Sequence, residues 1–419
     1  MSTNSIVKDM GLAAAGNKKI DWVARHAPVL TRLRETYVHD GSLKGLRVGI
    51  AIPVDAKAAY FASVLADAGA WVAIAGTAPL SVQDDVAAGL VSRGVTVYAS
   101  SAAPRDEFER NLERVLEFRP DAIIDDRAAL VTMAHSMRQM RQDALAGIKG
   151  ASEETTAGVT RLRAMERQGA LTFPVVAAND ARCRRLFDDR YGAGQSTLTA
   201  IMDTTNLFMA GKEIIVVGYG WRGKGLARRA KGLAARVTVA EIDPVKGLEA
   251  YADGFDIQPL DSCVERGDIF ITSTGVRDTI DVRHVERMKD GVILVNAGGT
   301  AVAIDEAKLK GIAREQREAR RHITEFVLPN DRRVHLIAHG LVVDLAAADG
   351  RPVESMDLTF SVQAMALRYV ALNDERLEPR VYPFPAELDS ELARLKLESL
   401  GMGVAALTPA RADFLNSGA

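Results

Sequence analysis

The sequence is poor in cysteine, in aromatic residues and in any excess of one charge. Cys183 and Cys263 are the only thiols in 419 residues, too few for a disulfide framework or a thiolate zinc site, which predicts a reducing cytoplasm and no metal centre. Lys and Arg number 53 against 55 Asp and Glu, a formal net charge of −2, so no electrostatic footprint for nucleic acid or an anionic membrane stands out. No apolar run reaches the roughly 18 residues of a membrane span. The amino terminus lacks the basic region and apolar stretch of a secretory signal, and the expectation is a cytoplasmic protein. What is present is ample core material, with 47% hydrophobic residues. The length predicts two or three domains of about 100–200 residues each.

Near the start, Trp22, Val23, His26, Val29, Leu30 and Leu33 recur at the three- and four-residue spacing of one helical face. The rhythm then changes. "RVGIAI" (47–52), "WVAIAG" (71–76), "VTVYAS" (95–100) and "DAIIDD" (121–126) are short apolar runs separated by stretches of βαβ-crossover length. Near-continuous apolar strands imply a parallel sheet covered on both faces. A second series, "KEIIVVGYGWRGKG" (212–225), "RVTVAEID" (236–243), "GDIFITSTG" (267–275) and "GVILVNAGG" (291–299), predicts another such sheet. Residues 150–197 between them read as irregular, followed by a helix from about Ser196 to Met209. A further helix is predicted from about Met356 to Leu372. Pro379, Pro383 and Pro385 then precede a last amphipathic helix carrying Leu388, Leu392 and Leu395. The expected fold class is α/β, with two doubly wound parallel-sheet domains and a short C-terminal helical segment.

Gly218, Gly220 and Gly223 form G-x-G-x-x-G directly after an apolar strand and at the start of a helix. The first glycine permits the tight turn, the second lets a pyrophosphate approach the backbone, and the third lets helix and strand pack closely. The phosphates then meet the helix amino terminus. Glu241, at the end of the next strand, is placed to accept hydrogen bonds from both adenosine-ribose hydroxyls, and its carboxylate would repel a 2′-phosphate. The predicted cofactor is NAD. Trp221, inside the loop, is read as shielding the pyrophosphate, and Arg222, Thr274, Gly275, Asn296 and Asp344 are further predicted cofactor contacts.

The stretches "VVGYGWRGKGLARRAKGLAARVTVAEIDPVKGLEA", "SEETTAGVTRLRAMERQGALTFPV", "FDDRYGAGQST", "LSVQDDVAAGL" and "GDIFITSTG" closely resemble the S-adenosyl-L-homocysteine hydrolase family in its shorter bacterial and archaeal form. The resemblance implies a substrate domain over residues 1–190, an inserted NAD domain over 191–350, a return to the substrate domain over 351–383, and an oligomerisation segment over 384–419 that reaches a neighbour in a homotetramer. It implies a small-molecule adenine nucleoside as substrate, transient oxidation of its 3′-hydroxyl, and removal of the acidified C4′ hydrogen. By the same resemblance Asp126 matches the base that removes this hydrogen. Glu154 matches a residue holding the sugar hydroxyls, Thr155 and Thr156 match cofactor contacts, and Asp188 matches the aspartate near the 3′-oxygen. Taken singly, Asp126 and Asp188 read as helix caps and the threonines as a helix start, but their joint occurrence in the family's register makes a site the better reading.

The departures from the resembling motifs are as informative. In "IPVDAK" the family's histidine is Pro53, while Asp55 and Lys57 remain as predicted substrate contacts. In "NAGGT" and "ADGRP" two further histidines are Gly299 and Arg351, both assigned to substrate binding in a remodelled pocket. The lysine expected in "NDARCR" is Arg184, and the asparagine expected in "FDD" is Asp189, a predicted cofactor neighbour. The third threonine of the run is Ala157. Histidine is the side chain best poised to trade protons near neutrality, and removing one positioned acid or base typically costs about 10²–10⁴ in rate. Arginine is a poor base but can hold a developing alkoxide.

The resulting expectation is a nucleoside dehydratase acting on, for example, an adenine ketohexose nucleoside of the antibiotic type. Asp126, Arg184 and Asp188 are its catalytic residues. The alternatives are an ordinary S-adenosylhomocysteine hydrolase and a catalytically silent NAD-binding paralogue. His335 and His339 sit four residues apart but in a predicted strand and loop, which argues against a metal pair. Cys183 lies beside Arg182 and Arg184, a setting that would depress its pKa, but nothing in the sequence supplies it with a base, and a nucleophilic role falls away.

Overall fold

The computed structural model describes residues 4–77, 79–101, 103–138, 147–299, 303–405 and 408–417. Its strands, in chain order, are β1 (Ile6–Val7), β2 (Arg47–Ala51), β3 (Trp71–Ala75), β4 (Thr96–Ala99), β5 (Ala122–Asp125), β6 (Gly150–Glu153), β7 (Val175–Ala177), β8 (Glu213–Val217), β9 (Arg236–Ala240), β10 (Asp256–Ile257), β11 (Ile269–Thr272), β12 (Val292–Asn296), β13 (Glu315–Arg320), β14 (Ile323–Val327), β15 (Arg333–Ile337) and β16 (Val381–Pro383). They form two eight-stranded sheets, ordered β1-β4-β3-β2-β5-β6-β7-β16 and β10-β9-β8-β11-β12-β15-β14-β13.

The first sheet is parallel throughout. Period-two geometry sends successive side chains to opposite faces. Val48 and Ile50 accordingly enter one buried cluster and Ala51 the other. In the second sheet Ile214 and Val216 pack on one side, Ile215 and Val217 on the other. Its far edge is an antiparallel hairpin of β13 and β14. The central switch of strand order lies between β2 and β5 in the first sheet and between β8 and β11 in the second. In doubly wound sheets the crevice at such a switch, beyond the strands' carboxyl ends, is where ligands bind.

Several expectations need correction. The periodic run from Trp22 to Leu33 spans two helices, Ala13–His26 and Pro28–Asp40, because Pro28 opens the second. Trp22 is 60% exposed, its ring instead lying on His26 at a centroid distance of 4.3 Å. Residues 150–197 are far from irregular: they hold β6, the helix Thr156–Arg167, β7, a π-helix over Arg184–Gly192 and the start of the helix Ala193–Thr205. That last helix ends at Asn206, which takes a left-handed φ of 53°, short of the predicted Met209. The helices Val353–Asn373 and Ala386–Ser399 match their predicted counterparts. Between them β16 pairs with β7, so the chain rejoins the first sheet after leaving the second. Among the described residues no helix is long and apolar enough to cross a membrane.

Candidate active site

The glycine loop is shaped by close contact on two sides and open space on a third. Gly218 has φ 96°, which only glycine holds without strain. A Cβ on Gly223 would stand 1.9 Å from the Gly218 carbonyl oxygen, whereas one on Gly220 would meet nothing within 4 Å. Gly220 caps the helix Trp221–Gly232, leaving its first N–H groups facing that space. Glu241 accepts N–H bonds from Tyr219 (2.6 Å), Ile242 (2.7 Å) and Asp243 (3.0 Å), which fix its carboxylate beside the loop. Thr274 adjoins Gly218 across the β8/β11 switch, and Gly275 adjoins Gly299. The buried Asn296 amide donates to the Gly340 carbonyl and accepts from Gly298. Trp221 carries the Lys224 ammonium 4.8 Å above its ring. A glycine crevice at a helix amino terminus with a pinned acid beside it fits a dinucleotide.

On the first sheet the candidate carboxylates stand at strand ends. Asp126 follows β5; it is 5% exposed and accepts a bond from the Thr77 hydroxyl at 3.0 Å. The helix that starts just beyond it receives its carboxylate from Asp125, not Asp126, so the cap reading belongs to the neighbour. Glu154 follows β6, with one buried carboxylate oxygen lacking any partner. Burial lifts its pKa to about 7; Asp126 and Asp188 add to the shift, and Arg184 and Arg351 oppose it. Thr155 caps the helix Thr156–Arg167 through the Gly158 N–H and donates its hydroxyl to Glu153. Thr156 reaches Asn179 at 3.3 Å. Asp55 caps the helix Ala56–Asp67 and pairs with Lys57 at 2.8 Å. Lys57 is itself buried, with its ammonium on the Asp349 carbonyl.

The π-helix Arg184–Gly192 joins the two sheets' domains. Its wide turn, closed by the Ala193 N–H reaching back five residues to the Asp188 carbonyl, turns Arg184, Asp188 and Asp189 inward and leaves Phe187 and Tyr191 exposed. Arg184 donates to Asn179 and to Asp189, both at 2.9 Å. Asp189 also accepts from Arg222 at 3.1 Å, and Arg222 donates onward to the Ala297 carbonyl. The Asp189 carboxyl is held well below the usual carboxylate range: burial works against this but is outweighed by Arg184, Arg222 and Arg351. Asp188, fully buried, pairs with the Arg351 guanidinium and accepts from Ser355. Burial disfavours the Arg351 charge, yet Asp188, Asp344 and Asp189 keep it protonated. Asp344 accepts from Ser196 at 2.8 Å and stands 3.9 Å from the Arg351 Nε. The bonds within this cluster involve no histidine among the described residues.

A cleft of about 1200 Å³ opens between the domains, with Asp55, Lys57, Ser196 and Arg351 on its wall. Arg351 alone belongs both to this wall and to the ion pairs around Asp188. Glu154 lies within the fields of Asp126, Arg184, Asp188 and Arg351, which brings the β5 and β6 ends to the π-helix, and Arg184 carries Asp189 with it. The glycine loop and Glu241 lie on the second sheet and meet them through Arg222. Thr300, the last residue of the "NAGGT" motif, lies outside the described residues. Cys183, set aside as a nucleophile for want of a base, is also not acidified by its arginine neighbours: burial and its bond with Asp389 push the thiol up to about 12. His335 and His339 diverge, one to Glu325 and the other to Glu306.

Sequence reasoning missed Thr77, Asn179, Ser196 and Ser355. Thr77 follows an apolar strand at the carboxyl edge of the sheet, a position that topology alone marks. Ser355 opens a helix four residues past Arg351 and carried no signal of its own.

The protein-family comparisons agree with this geometry. The model of the S-adenosyl-L-homocysteine hydrolase NAD binding domain matches residues 189–350, and that of S-adenosyl-L-homocysteine hydrolase matches residues 4–146. An S-inosyl-L-homocysteine hydrolase of Methanopyrus kandleri is 45% identical over 98% of this chain and 96% of its own length. Adenosylhomocysteinases of Archaeoglobus fulgidus and Thermotoga maritima are 47% and 46% identical, each over 96% of this chain, and over 98% and 99% of their own lengths. With such identity along nearly the whole of both chains and the family's NAD-binding domain in place, this protein belongs to the S-adenosyl-L-homocysteine hydrolase family.

Proposed function

We propose that the chain performs an oxidation-first elimination on a purine nucleoside and expels water rather than a thiol. One observation carries this reading. Buried Arg184–Asp189 and Arg351–Asp188 ion pairs stand where the resembling motifs hold lysine, asparagine and histidine. NAD, when bound, supplies the hydride acceptor for a secondary sugar hydroxyl and the donor for its return. Arg184 cannot act as a base. Its Nε–H, buried and without a partner, is free to hold the developing alkoxide, while Asp188 accepts the hydroxyl proton. Asp126 takes the hydrogen from the carbon next to the ketone. That electron pair forms an exocyclic double bond as the primary hydroxyl leaves, and Glu154, with its pKa near 7, can deliver the proton that makes it water. An adenine ketohexose nucleoside is a suitable substrate. The chain is further read as a homotetramer, supported by the exposed Phe414 on the terminal helix Pro409–Asn416.

A second reading, hydrolysis of a homocysteine thioether, is supported by the names of the relatives, which include both adenosyl and inosyl activities, and by the acids at positions 126, 154 and 188. The test is to mix NAD-loaded protein with S-adenosylhomocysteine, S-inosylhomocysteine and an adenine ketohexose nucleoside. Loss of one water from the last, by mass, supports the dehydratase. Thiol release from either thioether at a rate that dwarfs any dehydration sinks it in favour of the hydrolase. A cofactor that never reduces with any of the three leaves a silent NAD-binding protein.

A further inference from the structure

Asp125 and Glu153 are the last residues of β5 and β6, and they face each other in the parallel register. Each directly precedes a carboxylate of the candidate site, Asp126 and Glu154. Both are fully buried, and among the described residues neither has a cation within ion-pair distance. They are neutralised instead by backbone dipoles. Asp125 accepts the N–H groups of Asp126 (3.0 Å), Leu130 (3.1 Å) and Val131 (2.8 Å). Glu153 accepts those of Arg127 (3.0 Å), Ala128 (2.8 Å) and Thr155 (2.7 Å), and the Thr155 hydroxyl at 2.6 Å.

Two further observations show that the arrangement is over-determined. Arg127 and Ala128 have φ of 61° and 56°, left-handed values that non-glycine residues hold at a cost of order 1–3 kcal/mol each. Both aim their N–H groups at the one Glu153 carboxylate. Across from them, a Cβ on Gly158 would stand 2.2 Å from the Glu153 carboxyl carbon, so glycine is what admits that side chain. A chain that needed only a stable strand end would satisfy these N–H groups with a neutral side chain, because an unpaired buried carboxylate is costly. Burial lifts the Asp125 pKa to about 7, its three N–H donors opposing and Asp126 adding. Burial, then Asp125 and Asp126, push that of Glu153 well above the usual range. The strain and the burial of two acids are both spent on the loops that carry Asp126, Glu154 and Thr155.

We propose that Asp125 and Glu153 are positioning residues that clamp these two strand-end loops, fixing Asp126 and Glu154 for carbon–hydrogen abstraction. The proposal rests on the reading of Asp126 as the base. The test uses full-length NAD-loaded protein with adenosine in deuterium oxide. Reduction of the bound cofactor, read by absorbance, reports the oxidation step. Deuterium entry at the activated carbon reports abstraction.

Asp125→Asn and Glu153→Gln are nearly isosteric, while Gly158→Ala displaces the Glu153 carboxylate without changing its charge. Compared at equal NAD occupancy, each variant is expected to keep its cofactor reduction and to lose about 10²-fold in deuterium exchange, the penalty of a misplaced group. Full exchange in all three variants overturns the clamp while leaving the function reading intact. So does a parallel fall of reduction and exchange, or loss of the folded holoprotein, since either marks a merely structural role. Absence of exchange in the unaltered protein overturns the base assignment, and the clamp with it.

Discussion

The two sheets solve the problem of holding a ligand with different materials. On the second sheet the site is made of backbone: a left-handed glycine, a contact that leaves no room for a Cβ, and a helix end, with Glu241 pinned by three N–H groups. On the first sheet and the π-helix it is made of buried charge: Asp126, Glu154, Asp188 and Asp189 set against Arg184 and Arg351. Backbone geometry tolerates few substitutions and is shared widely among dinucleotide sites. Buried charge can be balanced by more than one set of partners, as Asp189 is by Arg184 and Arg222, and so this half leaves more room for chemistry to vary.

The comparison breaks most sharply at Arg351. Removing it with Arg351→Met strands Asp188 as a buried, uncompensated charge, which costs about 3–5 kcal/mol; chemical denaturation should show a loss of that size. A loss under about 1 kcal/mol would mean that Asp188 finds water or Ser355 instead. The Arg184–Asp189 pair offers the complementary test. Arg184→Lys and Asp189→Asn should each destabilise alone, and the double variant should recover part of the loss, with a coupling of about 0.5–3 kcal/mol in a double-mutant cycle. Strict additivity would deny that the two residues act as a pair.

The backbone half predicts a different split. Gly223→Ala forces a Cβ onto the Gly218 carbonyl and should cost about 1–3 kcal/mol as overpacking, with loss of bound NAD. Gly220→Ala meets no protein atom, so its melting temperature should stay unchanged while copurified NAD falls. If both variants lose stability equally, the open space at Gly220 is not reserved for a ligand.

This half was also the more legible one in the sequence. Glycine spacing after an apolar strand writes the geometry directly, because no other residue adopts the φ of Gly218 or fits at Gly223. The charged half was harder. The π-helix was legible only through the family resemblance: by composition it is a run of charge, and the charges of Arg184, Asp188 and Asp189 on its inward face cancel only once Arg222 and Arg351 arrive from distant segments. β6 went unseen because "GASE" has no β-branched residue, and β16 because its only partner, β7, lies some two hundred residues earlier. Asp125 and Asp126 look identical as a pair in sequence. Only the fold assigns one to helix N–H groups and the other to Thr77.

A pH series sharpens the electrostatic contrast at lower amplitude. The Glu154 pKa is raised from 4.5 to about 7 by burial, so the folded state keeps a proton that the unfolded chain releases between those values. Stability attributable to this group is therefore greatest below about pH 4.5 and falls as pH rises towards 7, with a slope of at most about 1.4 kcal/mol per unit. Glu154→Gln should flatten that part of the profile and gain over the parent above pH 7. Asp189 has the opposite sign. Its depressed pKa contributes stability at neutral pH that is lost only as pH falls below the ordinary carboxylate range, so Asp189→Asn should act at neutral pH and above. Parallel profiles for the two variants would show that the arginines do not distinguish the carboxylates.

The smallest effect is expected at Asp55, where the two materials meet in one side chain. Its carboxylate accepts the Lys57 and Ala58 N–H groups as a helix cap, at 2.9 and 3.0 Å, and the same group pairs with the Lys57 ammonium on the cleft wall. Asparagine caps a helix about as well as aspartate, so Asp55→Asn keeps the backbone role and removes only the charge. The buried Lys57 ammonium keeps the Asp349 carbonyl and the asparagine amide oxygen as acceptors, so the loss should stay below about 1 kcal/mol, whereas Asp55→Ala should lose about 1 kcal/mol more with the cap. If Asp55 serves only the helix, nucleoside KM is unchanged in the asparagine variant. If the Asp55–Lys57 pair faces the substrate, freeing the lysine ammonium raises KM or shifts the preference between adenine and hypoxanthine nucleosides while the melting temperature stays put, and the cap is then also part of the recognition surface.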